Sequence, residues 1–89
     1  MSSYELYISG KVQGVFFRAS AQEQARQLNL TGYVENLPDG RVHALIQGDE
    51  QACQQFLDWC QDGPAQAEVS HLEARPISAP PYAQFIIQR

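Results

Sequence analysis

The hydrophobic period of this chain changes from that of a strand to that of a helix across residues 10–18, and this change most constrains the fold. Residues 4–12 alternate between apolar and polar side chains, which predicts a half-buried strand. From residue 17 to about residue 29, apolar side chains recur at helical spacing. The chain therefore passes from strand to helix within a few residues, through a turn that contains Gly10 and Gly14.

A turn of this kind has chemical consequences. It aims consecutive backbone N–H groups at one point, beside the positive end of the helix dipole. Arg18, in the first turn of the predicted helix, adds a guanidinium group. These are the ingredients of a phosphate or carboxylate site, although two glycines alone also fit an ordinary strand-to-helix connection.

The remaining pattern predicts the rest of the fold. It indicates strands over 31–37 and 41–47 that are joined by Pro38-Asp39-Gly40, followed by a helix that Asp49 caps and Gly63-Pro64 ends. A strand over 65–74 follows, with an irregularity between Val69 and Leu72. A last strand over 82–89 buries Phe85 and Ile87. The order is that of an α+β, ferredoxin-like split βαβ fold (βαββαβ plus a short terminal strand). We expect one domain over residues 1–89, with an antiparallel sheet and two helices on one face.

Composition excludes several classes of function. The net charge is −4 and no Lys/Arg cluster occurs, so we expect no nucleic-acid partner. No apolar run approaches about 18 residues, which argues against a membrane span. The N-terminus has no secretory pattern, so we expect a cytoplasmic protein, and at this length a monomer. An anion site must therefore be local, and Lys11, Arg18 and Arg41 are the candidate cations.

The two cysteines do not suggest a disulfide or a metal site. Cys53 and Cys60 lie two helical turns apart, roughly 10 Å between Cα atoms, which is too far for a disulfide. We expect both to be reduced and buried. His43 and His71 lack ligand spacing to them and are expected to be ordinary strand residues, so we expect no metal and no cofactor.

Two separated motifs in this order give the chain a specific resemblance. Gly10-x-Val12-Gln13-Gly14-Val15-x-Phe17-Arg18 is followed by Gly32-Tyr33-Val34-x-Asn36, then by Gly40-x-Val42 and Gly48. With these motifs the chain resembles the acylphosphatase family from Tyr4 to Gln88. The resemblance implies an enzyme that hydrolyses the carboxyl–phosphate bond of small-molecule acyl phosphates without a metal.

The resemblance also assigns the site. It implies that the loop Gln13, Gly14, Val15, Phe16, Phe17 and Arg18 holds the phosphoryl oxygens through backbone N–H groups. Arg18 would add a bidentate, always charged donor pair, and Asn36 would orient the attacking water. Strand alternation places Asn36 on one face with Gly32, and places Glu35, where the family usually lacks an acid, on the other. We therefore expect Glu35 to leave activity intact.

Two alternatives remain open at this point. Similar domains open the large carbamoyl-phosphate-processing proteins of hydrogenase maturation, and that interpretation would apply if these residues were cut from a longer chain. A non-catalytic, anion-binding module of the same fold would instead bind phosphate without turnover.

Overall fold

Five strands and two helices follow one another along the chain in the predicted order. The computed structural model describes residues 1–88. Its elements are β1 (Ser2–Lys11), α1 (Phe17–Gln27), β2 (Thr31–Asn36), β3 (Val42–Gly48), α2 (Glu50–Asp62), β4 (Glu68–Pro76) and β5 (Phe85–Gln88). Arg89, which the prediction included in the last strand, lies outside the described residues. None of the described helices is long and apolar enough to cross a membrane.

The predicted ends of α2 are correct. The Asp49 carboxylate accepts a hydrogen bond from the backbone N–H of Gln51 at 3.2 Å, which caps the first turn. At the other end Gly63 has a φ of 69°, a conformation that terminates a helix. Cys53 and Cys60 are both buried on the core-facing side of this helix, as predicted.

β4 starts later than the predicted residue 65. The carbonyl of Pro64 accepts a hydrogen bond from the N–H of Ala67 at 2.9 Å, and this turn delays the strand until Glu68. The predicted irregularity is present, because the pairing with β1 shifts register at Ser70. This bulge allows Val69 and Leu72, three positions apart, both to pack against the core.

The strands form one sheet in the order β4-β1-β3-β2-β5. Both helices cover the same face, and their apolar stripes share one core with the inward side chains of the sheet. The most central members of this core include Leu6, Ile8, Phe17, Ala25, Val34, Ile46, Phe56 and Phe85. The predicted order of elements, with both helices on one face of the sheet, is therefore confirmed.

The terminal strand corrects one part of the prediction. The four strands of the βαββαβ unit pair antiparallel, but β5 runs parallel to β2, so the sheet is mixed. β4 finishes at the end of the sheet at which β2 begins. Residues 77–84 connect β4 to β5, the two outermost strands, which lie about 19 Å apart across the sheet, and eight residues span at most about 26 Å. The chain therefore enters β5 at the same end of the sheet, alongside the start of β2.

Candidate active site

A cavity of about 300 Å³ opens where β1 ends and α1 begins. It is lined by Val12, Gly14, Phe16, Phe17, Arg18, Ala19, Asn36 and Ile87. The fold thus brings the end of β2 and the tip of β5 against the predicted loop. All the predicted site residues line this cavity except Gln13 and Val15.

Val15 and Gln13 are placed differently from the others. The Val15 side chain is buried in the core, which anchors the loop from below. The Gln13 side-chain amide donates hydrogen bonds to the carbonyls of Leu37 and Arg41, at 2.8 and 2.9 Å. To an anionic ligand, these two residues can therefore donate only through their backbone N–H groups.

The backbone of the loop is held in an unusual shape. Gly14 has a φ of 75°, which glycine adopts without strain. Phe16 also lies in the left-handed region, with φ 65° and ψ 23°, although it is a bulky aromatic. Such a conformation costs on the order of 1 kcal/mol or more, and burial does not offset it because Phe16 is 73% exposed. Loops retain strain of this kind mainly where the resulting geometry has a use.

This backbone shape leaves several backbone N–H groups without a hydrogen-bond acceptor in the described part of the chain. Phe16 caps α1 without any side-chain hydrogen bond, and the first bond of the helix is from the N–H of Ser20 to the carbonyl of Phe16 at 3.0 Å. Among residues 1–88, no protein group accepts from the backbone N–H groups of residues 14–19. The first turn of α1 also contains no acidic residue. The loop and the start of α1 therefore form an electropositive cradle, with no acidic side chain in the first turn of the helix.

Arg18 adds a full positive charge to this cradle. Its side chain lines the cavity, and no carboxylate among residues 1–88 lies within ion-pair distance of its guanidinium group. The other two candidate cations are not part of the cavity lining. Arg41 pairs with Asp39 at 2.8 Å and lies over the ring of Tyr7, and Lys11 is exposed at the end of β1.

Asn36 faces the cradle from the last position of β2. Asn36 lines the cavity, and its Oδ1 atom is buried and has no hydrogen-bond partner among the described residues. A buried acceptor without a partner costs about 1–3 kcal/mol. This oxygen is therefore suited to accept a hydrogen bond from a molecule that occupies the cavity, such as a water.

Comparisons with known proteins agree with this geometry. The sequence model of the acylphosphatase family matches residues 4–87. The chain belongs to the acylphosphatase family. The acylphosphatase of Marinobacter nauticus is 43% identical over 79 residues, which cover 89% of this chain and 86% of that protein.

Solved structures of the family superimpose closely on this chain. The crystal structure of acylphosphatase from Bacillus subtilis matches with a TM-score of 0.97 and 33% identity over the whole of both chains. HypF of T. kodakarensis matches with a TM-score of 0.87 and 28% identity, and this chain covers 12% of its length. The acylphosphatase fold thus also occurs as one part of a much longer protein.

Glu35, where this chain departs from the usual family pattern, points away from the cavity as predicted. Its carboxylate lies 2.7 Å from Nδ1 of His43, on the sheet face opposite the helices. Two arrangements here differ from the prediction. His43 was expected to be an ordinary strand residue, yet it lies between Glu35 and Glu5. The side-chain contacts of Gln13 were also missed, because its partners are 24 and 28 residues away in the sequence.

Proposed function

We propose that this chain hydrolyses acyl phosphates to a carboxylate and inorganic phosphate by direct attack of water. The observation that carries the proposal is the cavity that joins three unpaired elements: the N–H groups of residues 14–19, the Arg18 guanidinium and the Asn36 oxygen. Family membership supports the reaction class. The geometry supports the roles that we propose for the individual residues.

The loop is proposed to hold the phosphoryl group. Its N–H groups and the positive end of α1 offer donors to the equatorial oxygens, and Arg18 offers two parallel donors that lysine does not reproduce. Because these donors are already oriented and unpaired, they need no reorganisation as negative charge shifts in the transition state. Such preorganised donors commonly supply the largest part of a rate enhancement.

Asn36 is proposed to orient the attacking water. Its Oδ1 accepts a hydrogen bond from the water, whose oxygen forms a bond to phosphorus as the bond from phosphorus to the acyl oxygen breaks. The bonding electrons leave with the carboxylate, and the water proton passes to the phosphate product or to solvent. An amide is a weak base, but the loose transition state of phosphoryl transfer requires little proton removal at the moment of attack.

The leaving carboxylate and the apolar part of the cavity wall also fit the hydrolysis of an acyl phosphate. A carboxylate, with an ordinary pKa near 4, departs without a general acid. The apolar side chains of Phe16 and Ile87 form part of the wall and are proposed to contact the acyl group. A thiol nucleophile is not needed, and burial raises the pKa of Cys53 to about 11, which disfavours its reactive thiolate.

We further propose that residues 1–89 act as one domain and as a cytoplasmic monomer. All the groups assigned to the reaction come from one chain and surround one cavity. The positive charge that the reaction needs is supplied by Arg18 and the loop, so we propose that turnover is independent of metal ions.

The test is the release of inorganic phosphate from benzoyl phosphate in the presence of EDTA. The parent protein should turn over, and Arg18→Ala and Asn36→Ala should each reduce kcat/KM by about 10²–10³-fold. Circular dichroism and urea unfolding would verify that both variants are folded. Arg18→Lys should recover only part of the loss, because it restores the charge but not the paired donors.

Each alternative predicts a different result. An anion-binding module would bind phosphate at the loop and show no turnover of benzoyl or acetyl phosphate. A carbamoyl-phosphate domain would turn over carbamoyl phosphate at least tenfold more efficiently than either of them. Full activity in folded Asn36→Ala would overturn the role assigned to Asn36.

A further inference from the structure

We propose that Gln13 is a positioning residue that sets the distance between the phosphate loop and Asn36. Its side-chain amide spans the gap between two segments that carry different parts of the site. One Nε2 atom donates to the carbonyl of Leu37 at 2.8 Å and to the carbonyl of Arg41 at 2.9 Å. We call these two contacts the Gln13 bridge. The inference rests on the proposed function of Arg18 and Asn36.

The bridge lies where backbone pairing between the two segments has ended. β1 and β3 pair up to Ile8 and Val42, and beyond that point β1 is paired only with β4. β2 likewise ends its pairing with β3 at Asn36 and Val42. The loop therefore leaves the sheet without a backbone ladder to the β2–β3 hairpin, and the Gln13 bridge spans this gap.

The hairpin end that receives the bridge is closed by its own backbone hydrogen bonds. The N–H of Leu37 donates to the carbonyl of Arg41 at 2.8 Å, and the N–H of Gly40 donates to the carbonyl of Leu37 at 3.2 Å. Both carbonyls thus accept one bond from the turn and one from Gln13. The bridge is therefore attached to a turn that its own backbone hydrogen bonds close.

The two attachment points are adjacent to the reacting groups. Gln13 directly precedes Gly14, the first loop residue that lines the cavity, and Leu37 directly follows Asn36. A change in the bridge therefore moves the loop and Asn36 relative to each other. The cradle formed by the loop and Arg18 is local to one segment and stays intact. Loss of the bridge should consequently lower kcat more than it weakens phosphate binding.

The experiment removes the donors and keeps the size of the side chain. Gln13→Met loses both hydrogen bonds, and Gln13→Glu places a carboxylate against two carbonyl oxygens. Neither change alters the backbone N–H of residue 13. With benzoyl phosphate as substrate, kcat should fall at least tenfold in Gln13→Met and further in Gln13→Glu. The inhibition constant of inorganic phosphate should change by less than threefold.

A matched control removes a comparable contact elsewhere. The Gln22 side-chain amide donates to the carbonyl of Phe85 at 3.1 Å, away from the cavity lining. Gln22→Met should leave kcat within twofold of the parent. If it lowered kcat as much as Gln13→Met, a general loosening of the fold would explain both, and the proposal would be wrong.

A double-mutant cycle separates this inference from the proposed function. If Gln13 acts through Asn36, then Gln13→Met should change kcat by less than twofold in an Asn36→Ala background. An undiminished effect in that background, or an equal loss of phosphate affinity, would show that Gln13 shapes the loop itself and would overturn the inference. Full activity of Asn36→Ala alone would instead count against the role of Asn36.

Discussion

The cavity beside α1 differs from the His43 cluster, formed by His43 with Glu5, Glu35, Arg75 and Tyr7, in how its polar groups are paired. In the cavity, the loop N–H groups and the Asn36 oxygen lack protein partners in the described chain, and Phe16 holds a strained backbone conformation. In the cluster, both His43 ring nitrogens have carboxylate partners. The contrast distinguishes the region that we propose receives a ligand from a region whose polar groups bond to one another, although both contain charged and aromatic residues.

The cluster around His43 lies on the sheet face that the helices do not cover. Nε2 of His43 is 2.9 Å from a Glu5 oxygen, and Nδ1 is 2.7 Å from a Glu35 oxygen. Arg75 donates to the other oxygen of Glu5 at 2.8 Å, and the ring of Tyr7 stacks on the imidazole. Both histidine contacts are hydrogen bonds to ionised carboxylates only when both ring nitrogens carry protons. The imidazole then links three strands across the sheet.

The largest expected effect on stability comes from replacing His43, because this removes the centre of the cluster. His43→Leu leaves the Glu5 and Glu35 carboxylates facing an apolar group, and should reduce the free energy of unfolding by about 2 kcal/mol. The measurement is urea unfolding followed by circular dichroism. His71→Leu, an exposed histidine of β4, is the matched control and should stay within about 0.5 kcal/mol of the parent. Folded His43→Leu should keep its activity within about twofold, and a large loss of kcat would place His43 in the reaction.

A second, smaller effect depends on pH. The hydrogen bonds from His43 and then from Arg75 lower the pKa of Glu5 below its ordinary value of 4.5. A lowered pKa in the folded state stabilises the protein above the ordinary pKa, and this contribution is lost as the pH falls through the lowered value. Compared with Glu5→Gln, the parent should therefore lose more unfolding free energy between pH 5 and pH 3. Parallel pH profiles of the two proteins would contradict this assignment.

The smallest expected effect concerns Glu35. The carboxylate points away from the cavity and contacts His43, so Glu35→Gln should change kcat/KM by well under tenfold. The amide oxygen of the new side chain can still accept from the imidazole, so the loss of unfolding free energy should stay below about 1 kcal/mol. A rise in kcat/KM above about tenfold, equal to roughly 1.4 kcal/mol, would show that this charge repels the substrate.

Local signals in the sequence were sufficient for most of the fold. Asp49 and Gly63 mark the ends of α2 because caps act on their immediate neighbours. The spacing of Val69 and Leu72 required a bulge, since both had to reach one face. The motif around Gly14 also indicated the loop correctly, because its backbone conformation depends on a few adjacent residues.

Contacts between distant residues were not accessible in the same way. The parallel direction of β5 follows from the reach of residues 77–84 only once the order of the strands in the sheet is known. The buried Gln47 side chain then holds this segment through the carbonyl of Pro80 and the N–H of Tyr82. The partners of Gln13 and His43 come from other elements of the sheet. Alternation placed Glu35 on the correct face, but it could not show which side chain lies opposite it.

A titration of the protein with inorganic phosphate, followed residue by residue by NMR, tests the central claim most directly. We expect saturable shifts concentrated on the backbone amides of residues 14–19 and on the side-chain amide of Asn36, with the signals of His43 unchanged. Arg18→Ala should abolish these shifts at the same phosphate concentrations. Shifts centred on Arg41 or on the His43 cluster, or the absence of saturable shifts in the loop, would contradict the assignment of the cavity as the phosphate site.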